Sequence, residues 1–166
     1  MATLIMLRHA KSDYPIGVPD HDRPLSKRGR TNARTIAARM SEFISPDARL
    51  GAAISTALRA QQTWSILEAG LPAVDHQWND SALYLAEPAT IAECARAFTT
   101  DVGIIVGHNP GIEELARSVA PATPDIGAAL ADKFSTASFA VLDTGGAPLS
   151  DWQPAHAHCV GFVTCR

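Results

Sequence analysis

The sequence predicts an α/β fold, three layers deep, in which helices cover both faces of a mainly parallel central sheet. Three observations predict it. Short continuous apolar runs, Thr3–Leu7, "LGAAIST" and "DVGIIVG", have the pattern of parallel strands covered on both faces. Amphipathic helical segments alternate with them. At 166 residues, 46% hydrophobic and 19% charged, the chain has the composition of a globular protein and enough length for a substantial core, and it reads as one domain over 1–166.

Each element follows from its local residues. Thr3–Leu7 forms the first strand and runs into Arg8-His9, after which "SDYPIGVPDHDRPL" is a polar loop punctuated by proline and glycine. Ser26 caps a helix whose apolar positions are Ala33, Ile36, Ala37, Met40 and Phe43, and Pro46 marks its end. "LGAAIST" is the next strand and leads into the helix "LRAQQTWSILEAG", with Trp64 in the core, which Gly70 and Pro72 terminate. "PATIAECARAF" places Ile91, Cys94, Ala95 and Phe98 on one helical face. "DVGIIVG" is the third buried strand, feeding "HNPGIEELARSVA", where Pro110 suits the first helical turn and Ile112, Leu115, Ala116 and Val119 form the buried stripe. After a loop at Pro121–Pro124, "ASFAVLD" and "HCVGFVTC" read as two strands joined through Gly145-Gly146, a late antiparallel edge.

Composition excludes several function classes. A net charge of −3 without a basic run or tail argues against nucleic acid as a partner. No apolar run reaches membrane-spanning length, so no membrane partner is expected, and the apolar stretch Leu4–Leu7 is too short for a signal-peptide core and lacks a small-residue cleavage site. Cys94, Cys159 and Cys165 cannot all pair and read as reduced thiols of a cytoplasmic protein. The oligomeric state is left open.

In a parallel sheet, ligands bind beyond the carboxyl ends of the strands. Arg8-His9 ends the first strand, Arg59 follows the second and His108 follows the third, so two arginines and two histidines converge on one rim. Such a cluster repels itself unless an anion sits within it. Guanidinium forks match phosphate oxygens, and Arg59 falls in the first turn of its helix, where free amides favour an anion. A phosphoryl group neutralised this way is open to attack, and neutral imidazole is a competent nucleophile whose pKa neighbouring arginines depress.

Four motifs carry a family resemblance. "LRHAKS" resembles the Arg-His-Gly/Ala motif of the histidine phosphatase (phosphoglycerate mutase-like) superfamily, "STALRAQQT" its second-arginine segment and "VGHNPG" its second-histidine segment, while "DHDRPLSKRGRTNA" fits its "RPLT..G...A" pattern. The short form, without a large insertion, is most similar to SixA-type phosphohistidine phosphatases. The resemblance implies His9 as the phosphorylated nucleophile, with Arg8, Arg59 and His108 binding the phosphoryl group and Arg23 as an accessory cation. It implies no metal and no cofactor, because the arginines supply the charge. It also implies a general acid before "ALY", where Asp80 is the nearest match and Asp20 and Asp22 are rivals.

The expected substrate is a phosphomonoester or a phosphohistidine, the latter on a partner protein. A departing imidazole, with a reference pKa of about 6.5, needs less help from an acid than an alkoxide does. The short loop between Ala10 and Pro24 leaves little material for a lid and favours an open site. A small-molecule phosphatase, a phosphoglycerate-mutase-like phosphotransferase and an inactive phosphate-binding module remain as alternatives. "HAHC", residues 156–159, reads as a surface strand with His156 and His158 on one face and Cys159 on the other, and His21 and His76 read as surface residues in polar loops.

Overall fold

In the computed structural model, which describes residues 1–165, strands and helices follow in the order β1 (Thr3–Arg8), α1 (Lys27–Ser41), β2 (Leu50–Ser55), α2 (Leu58–Glu68), β3 (His76–Asp80), α3 (Pro88–Arg96), β4 (Val102–Gly107), α4 (Gly111–Ser118), β5 (Ala120–Pro121), α5 (Pro124–Asp132), β6 (Phe139–Asp143) and β7 (His158–Val163). The sheet runs β3-β2-β4-β1-β6-β7-β5. Its first four strands are parallel, whereas β6 is antiparallel to both β1 and β7. This is the mainly parallel α/β sheet with a late antiparallel part that the apolar runs predict.

Alternation along the strands divides the core into two layers. Leu4, Met6, Ala53, Ile105, Ala140 and Leu142 face α3, α4 and α5 through Ile91, Ala95, Leu115 and Leu130. Ile5, Leu7, Ile54, Ile104, Val106 and Val141 face α1 and α2 through Ile36, Met40, Trp64 and Leu67. Parallel register aligns the carboxyl ends of the parallel strands: Arg8 sits opposite Gly107, and Ser55 opposite Asp80.

Several boundaries differ from the sequence reading. Ser26 caps α1 as expected, its Oγ accepting from the Gly29 amide at 3.0 Å, but the helix ends at Ser41. Phe43 lies beyond it and packs edge-on against Phe139. Pro110 stands just before α4 rather than within its first turn. His76 opens the edge strand β3, which the sequence hides because its "HQWND" carries one large apolar side chain. The Pro121–Pro124 loop is short, since β5 ends at Pro121 and α5 starts at Pro124 under a Thr123 cap. The connection from β6 to β7 is no tight hairpin at Gly145-Gly146; it includes two 3-10 turns, one of which holds His156. His156 and His158 therefore do not share a strand face, and Cys159 is buried.

One close approach matters for the site. A Cβ on Gly29 would run into the Lys11 carbonyl, which also accepts from the Ser26 amide at 2.9 Å. The glycine of "RPLS..G...A" thus lets α1 lie directly on the segment that leaves β1. We expect Gly29→Ala to lower stability by about 1–3 kcal/mol, the range for forcing an extra group into packed structure, measured by urea unfolding. An unchanged midpoint would show that the segment yields freely.

Candidate active site

His9 follows β1 and is 7% exposed, Arg59 lies in the first turn of α2 at 2%, and His108 follows β4 at 2%. The three are in mutual contact. The His9 and His108 ring centroids are 5.1 Å apart. Arg59 donates from Nε to His9 Nε2 at 3.2 Å and from an Nη to His108 Nδ1 at 3.4 Å. With Nε2 accepting, His9 carries its proton on Nδ1, which donates to the Ala10 carbonyl at 2.7 Å. His108 is the opposite tautomer: Nδ1 accepts, and Nε2–H donates to Ser55 Oγ at 2.7 Å.

Electrostatics hold both rings neutral. Burial, opposed by the Ala10 hydrogen bond and reinforced by His108, Arg59 and Arg8, pushes the His9 imidazole down to about 3. Burial and then Arg59 push His108 down to about 4, against the pull of Asp20. The lone pair on His9 Nε2 is therefore unprotonated throughout the neutral range.

Arg8 completes the cationic wall. It donates from an Nη to the Phe134 carbonyl at 3.0 Å, and Asn109 donates to the same carbonyl at 2.9 Å. Burial lowers the Arg8 pKa. Its buried Nε and the buried Asn109 Oδ1 have no protein partner among the described residues. The cavity bounded by these groups measures about 250 Å³ and is also lined by Asp20, Arg23, Lys11, Tyr14 and Thr136.

The loop between Ala10 and Pro24 contributes a wall rather than leaving the site open. A 3-10 turn at Asp20–Asp22 brings the Asp20 carboxylate to 3.1 Å from Arg59 and 3.2 Å from Arg23. Arg59 also donates to the Asp20 backbone carbonyl at 2.7 Å, and the Tyr84 hydroxyl donates to its carboxylate. The Tyr84 hydrogen bond first, and Arg59 and Arg23 after it, lower the Asp20 pKa, while the same bond raises that of Tyr84. Arg23 stacks on the Tyr14 ring at 4.0 Å.

The structure thus brings together Arg8, His9, Arg59, His108, Arg23 and Asp20, and it leaves Asp80 out. Asp80 ends β3 and caps the following 3-10 turn, with Oδ1 accepting from the Ala82 amide at 2.9 Å. Its charge acts on the Cys94 thiol, which burial and then Asp80 push up to about 12. Asp80 caps this turn and does not line the cavity that holds His9. Asp22 is exposed and lies 3.4 Å from His21. His21 is not a bystander: its Nε2 bonds Thr56 Oγ1 at 2.9 Å and its ring packs edge-on against Tyr84.

Three contributors escaped the sequence reading. Ser55 sets the His108 tautomer, and the polar residue closing the apolar run "LGAAIS" is the signal for it. Tyr84 packs edge-on against His108 with centroids 5.5 Å apart. Thr63 Oγ accepts from the Ala10 amide at 3.0 Å and donates to the Arg59 carbonyl at 2.7 Å, joining the segment after His9 to the arginine.

Comparison with known proteins shows the family of the chain. The histidine phosphatase superfamily (branch 1) matches residues 4–116, which include both arginines and both histidines. The chain belongs to this superfamily. The uncharacterized Mycobacterium tuberculosis protein Rv1276c is 35% identical over 166 residues, covering 96% of this chain and 100% of that one. The crystal structure of the candidate phosphohistidine phosphatase SixA from Agrobacterium tumefaciens is 26% identical, covers 98% of this chain and 97% of its own, and superposes with a TM-score of 0.78. A second SixA candidate, from Nakamurella multipartitia, gives 26% identity, 98% and 95% coverage and a TM-score of 0.79. No helix among the described residues is long and apolar enough to cross a membrane.

The lowered pKa values carry a direct test. Because the folded values of about 3 and 4 lie below the ordinary 6.5, the unfolded chain binds protons at these positions that the folded one does not. These two groups therefore withdraw stability as pH falls below about 6.5, and not above it. Nitrogen-15 chemical shifts at pH 5 should report neutral His9 with Nδ1–H and neutral His108 with Nε2–H. An imidazolium signal from His9 at that pH would overturn the assignment.

Proposed function

We propose that the protein is a phosphatase working through a covalent phosphohistidine on His9, and that its substrate is a phosphohistidine carried by a partner protein. The observation that carries the mechanism is the His9 ring: Nδ1–H is tied to the Ala10 carbonyl while the Nε2 lone pair faces the Arg59 guanidinium. A nucleophile held in one tautomer beside a permanent cation suits attack on a phosphoryl group whose oxygens the cation neutralises. Arg8, with its buried unpartnered Nε, and Asn109 extend that binding surface, and Arg23 lies beside it.

In the reaction, the Nε2 pair forms a bond to phosphorus as the bond from phosphorus to the leaving group breaks. The leaving group departs with its electron pair. The proton on Nδ1 stays with His9 through the Ala10 bond, so the phosphorylated ring is cationic and readily displaced. Water then attacks phosphorus, the N–P bond returns its pair to Nε2, and inorganic phosphate and a proton are released.

The choice of phosphohistidine rests on the carboxylates. Asp20, the carboxylate among the described residues lining the cavity, is held ionised by Tyr84 and two arginines, and Asp80 is spent on its cap. Neither is poised to protonate an alkoxide. A phosphohistidine ring needs no such donor, since solvent protonates its far nitrogen near neutral pH and a neutral imidazole then leaves. The likeness to SixA candidates supports the same substrate class.

Two measurements test the reading. His9→Ala should fold yet lose all turnover, and the wild-type protein, quenched during turnover of a phosphohistidine substrate, should carry acid-labile, alkali-stable phosphate on His9. A His9→Ala protein with wild-type rate would refute the covalent route. Asp80→Asn should leave hydrolysis of both phosphohistidine and phosphoester within about twofold of wild type, far from the 10²–10⁴-fold typical of a lost general acid. Arg59→Lys should retain only a small part of the activity, because a point charge cannot replace the fork that now spans His9, His108 and Asp20. Full rescue by lysine would reduce Arg59 to net charge.

A further inference from the structure

A second depression of about 320 Å³ lies beside the catalytic cavity and shares Lys11 and Thr136 with it. Its other polar walls are Arg28, Asn32, Lys133 and Ser135. Neither Lys11, Arg28 nor Lys133 has a carboxylate within ion-pair distance among the described residues. Three cations with no carboxylate partner among the described residues thus line one groove of a chain whose net charge is −3. Arg28 also sits in the first turn of α1, which holds no acidic residue. The helix dipole disfavours a cation there, so the arrangement costs stability unless an anion compensates.

The groove is fixed relative to the nucleophile. The Lys11 carbonyl accepts from the Ser26 amide at 2.9 Å, binding the start of α1 to the segment after His9. On the other wall, the Ala137 amide lies within 3.1 Å of both the Arg8 and His9 carbonyls, and Ser135 Oγ bonds Ser138 Oγ at 3.0 Å. Both walls are therefore positioned by the residues that position the reaction.

We propose that this groove binds a second anionic group of the substrate, joined by a short spacer to the phosphoryl group that His9 attacks. The proposal rests on the reading that the catalytic cavity takes a phosphoryl group. Cations and hydroxyls in a groove beside that cavity suit a phosphate or a carboxylate. Its two sources are a second phosphate on a small molecule and an acidic side chain flanking a phosphohistidine. Either makes the enzyme selective for doubly charged substrates over plain monophosphates.

The test is equilibrium binding to His9→Ala protein by calorimetry, with and without the added pair Arg28→Gln and Lys133→Gln. One arm compares a series of alkanediol bisphosphates of increasing length with the matching alkyl monophosphates. The other compares peptides carrying phosphohistidine with glutamate or with glutamine flanks. In one arm the doubly charged ligand should bind about tenfold tighter or more, as expected for a charge-assisted contact. That preference should disappear in the variant and shrink with added salt, while binding of the singly charged ligand reports that the catalytic cavity is intact. The arm that shows the preference identifies the source. Equal binding in both arms, or a preference that survives the two glutamines, overturns the proposal while leaving the phosphatase reading standing. Failure of every phosphorylated ligand to bind would overturn both.

Discussion

A buried guanidinium holds the site together. Arg59 touches His9, His108 and Asp20 at once, and it can do so only because each partner accepts. Two imidazoles accept through a ring nitrogen when they are neutral, so the tautomers of both histidines follow from the arginine. Those tautomers in turn require an acceptor behind His9 and one behind His108, which the Ala10 carbonyl and Ser55 provide. Without the arginine, the His9 lone pair would be oriented by the Ala10 hydrogen bond alone. Without neutral rings, a buried cation would face two others.

The sheet makes this arrangement inexpensive. Three parallel strands stop at the same level, so groups distant in sequence meet without long excursions of the chain. Helices on both faces bury the strands completely, and the backbone ladder carries polar residues to the rim without exposing the core. The loop after β1 then folds back over the rim, and its 3-10 turn fits Asp20 between two arginines.

Much of this was legible in the sequence because the decisive signals are local. An apolar run ending in Arg8-His9, or in Gly107-His108, states both the strand and the direction in which its last residues face. Ser26 followed three residues later by Gly29 marks the helix start and the close contact that fixes it. The edge strand β3 was not legible, since an exposed strand needs no continuous apolar run and "HQWND" shows none. Asp80 is ambiguous in sequence for a related reason. An aspartate at the end of a strand serves a reaction or a cap equally well in sequence, and the bond from the Ala82 amide appears only in the fold. Tyr84 and Thr63 act through contacts between segments far apart in the chain, which no spacing rule records.

The carboxylate of Asp20 gives the cavity an internal counterion. Any anion entering it meets a carboxylate already tethered beside Arg59 and Arg23. The affinity of any such ligand is then set against the effective concentration of that tethered carboxylate.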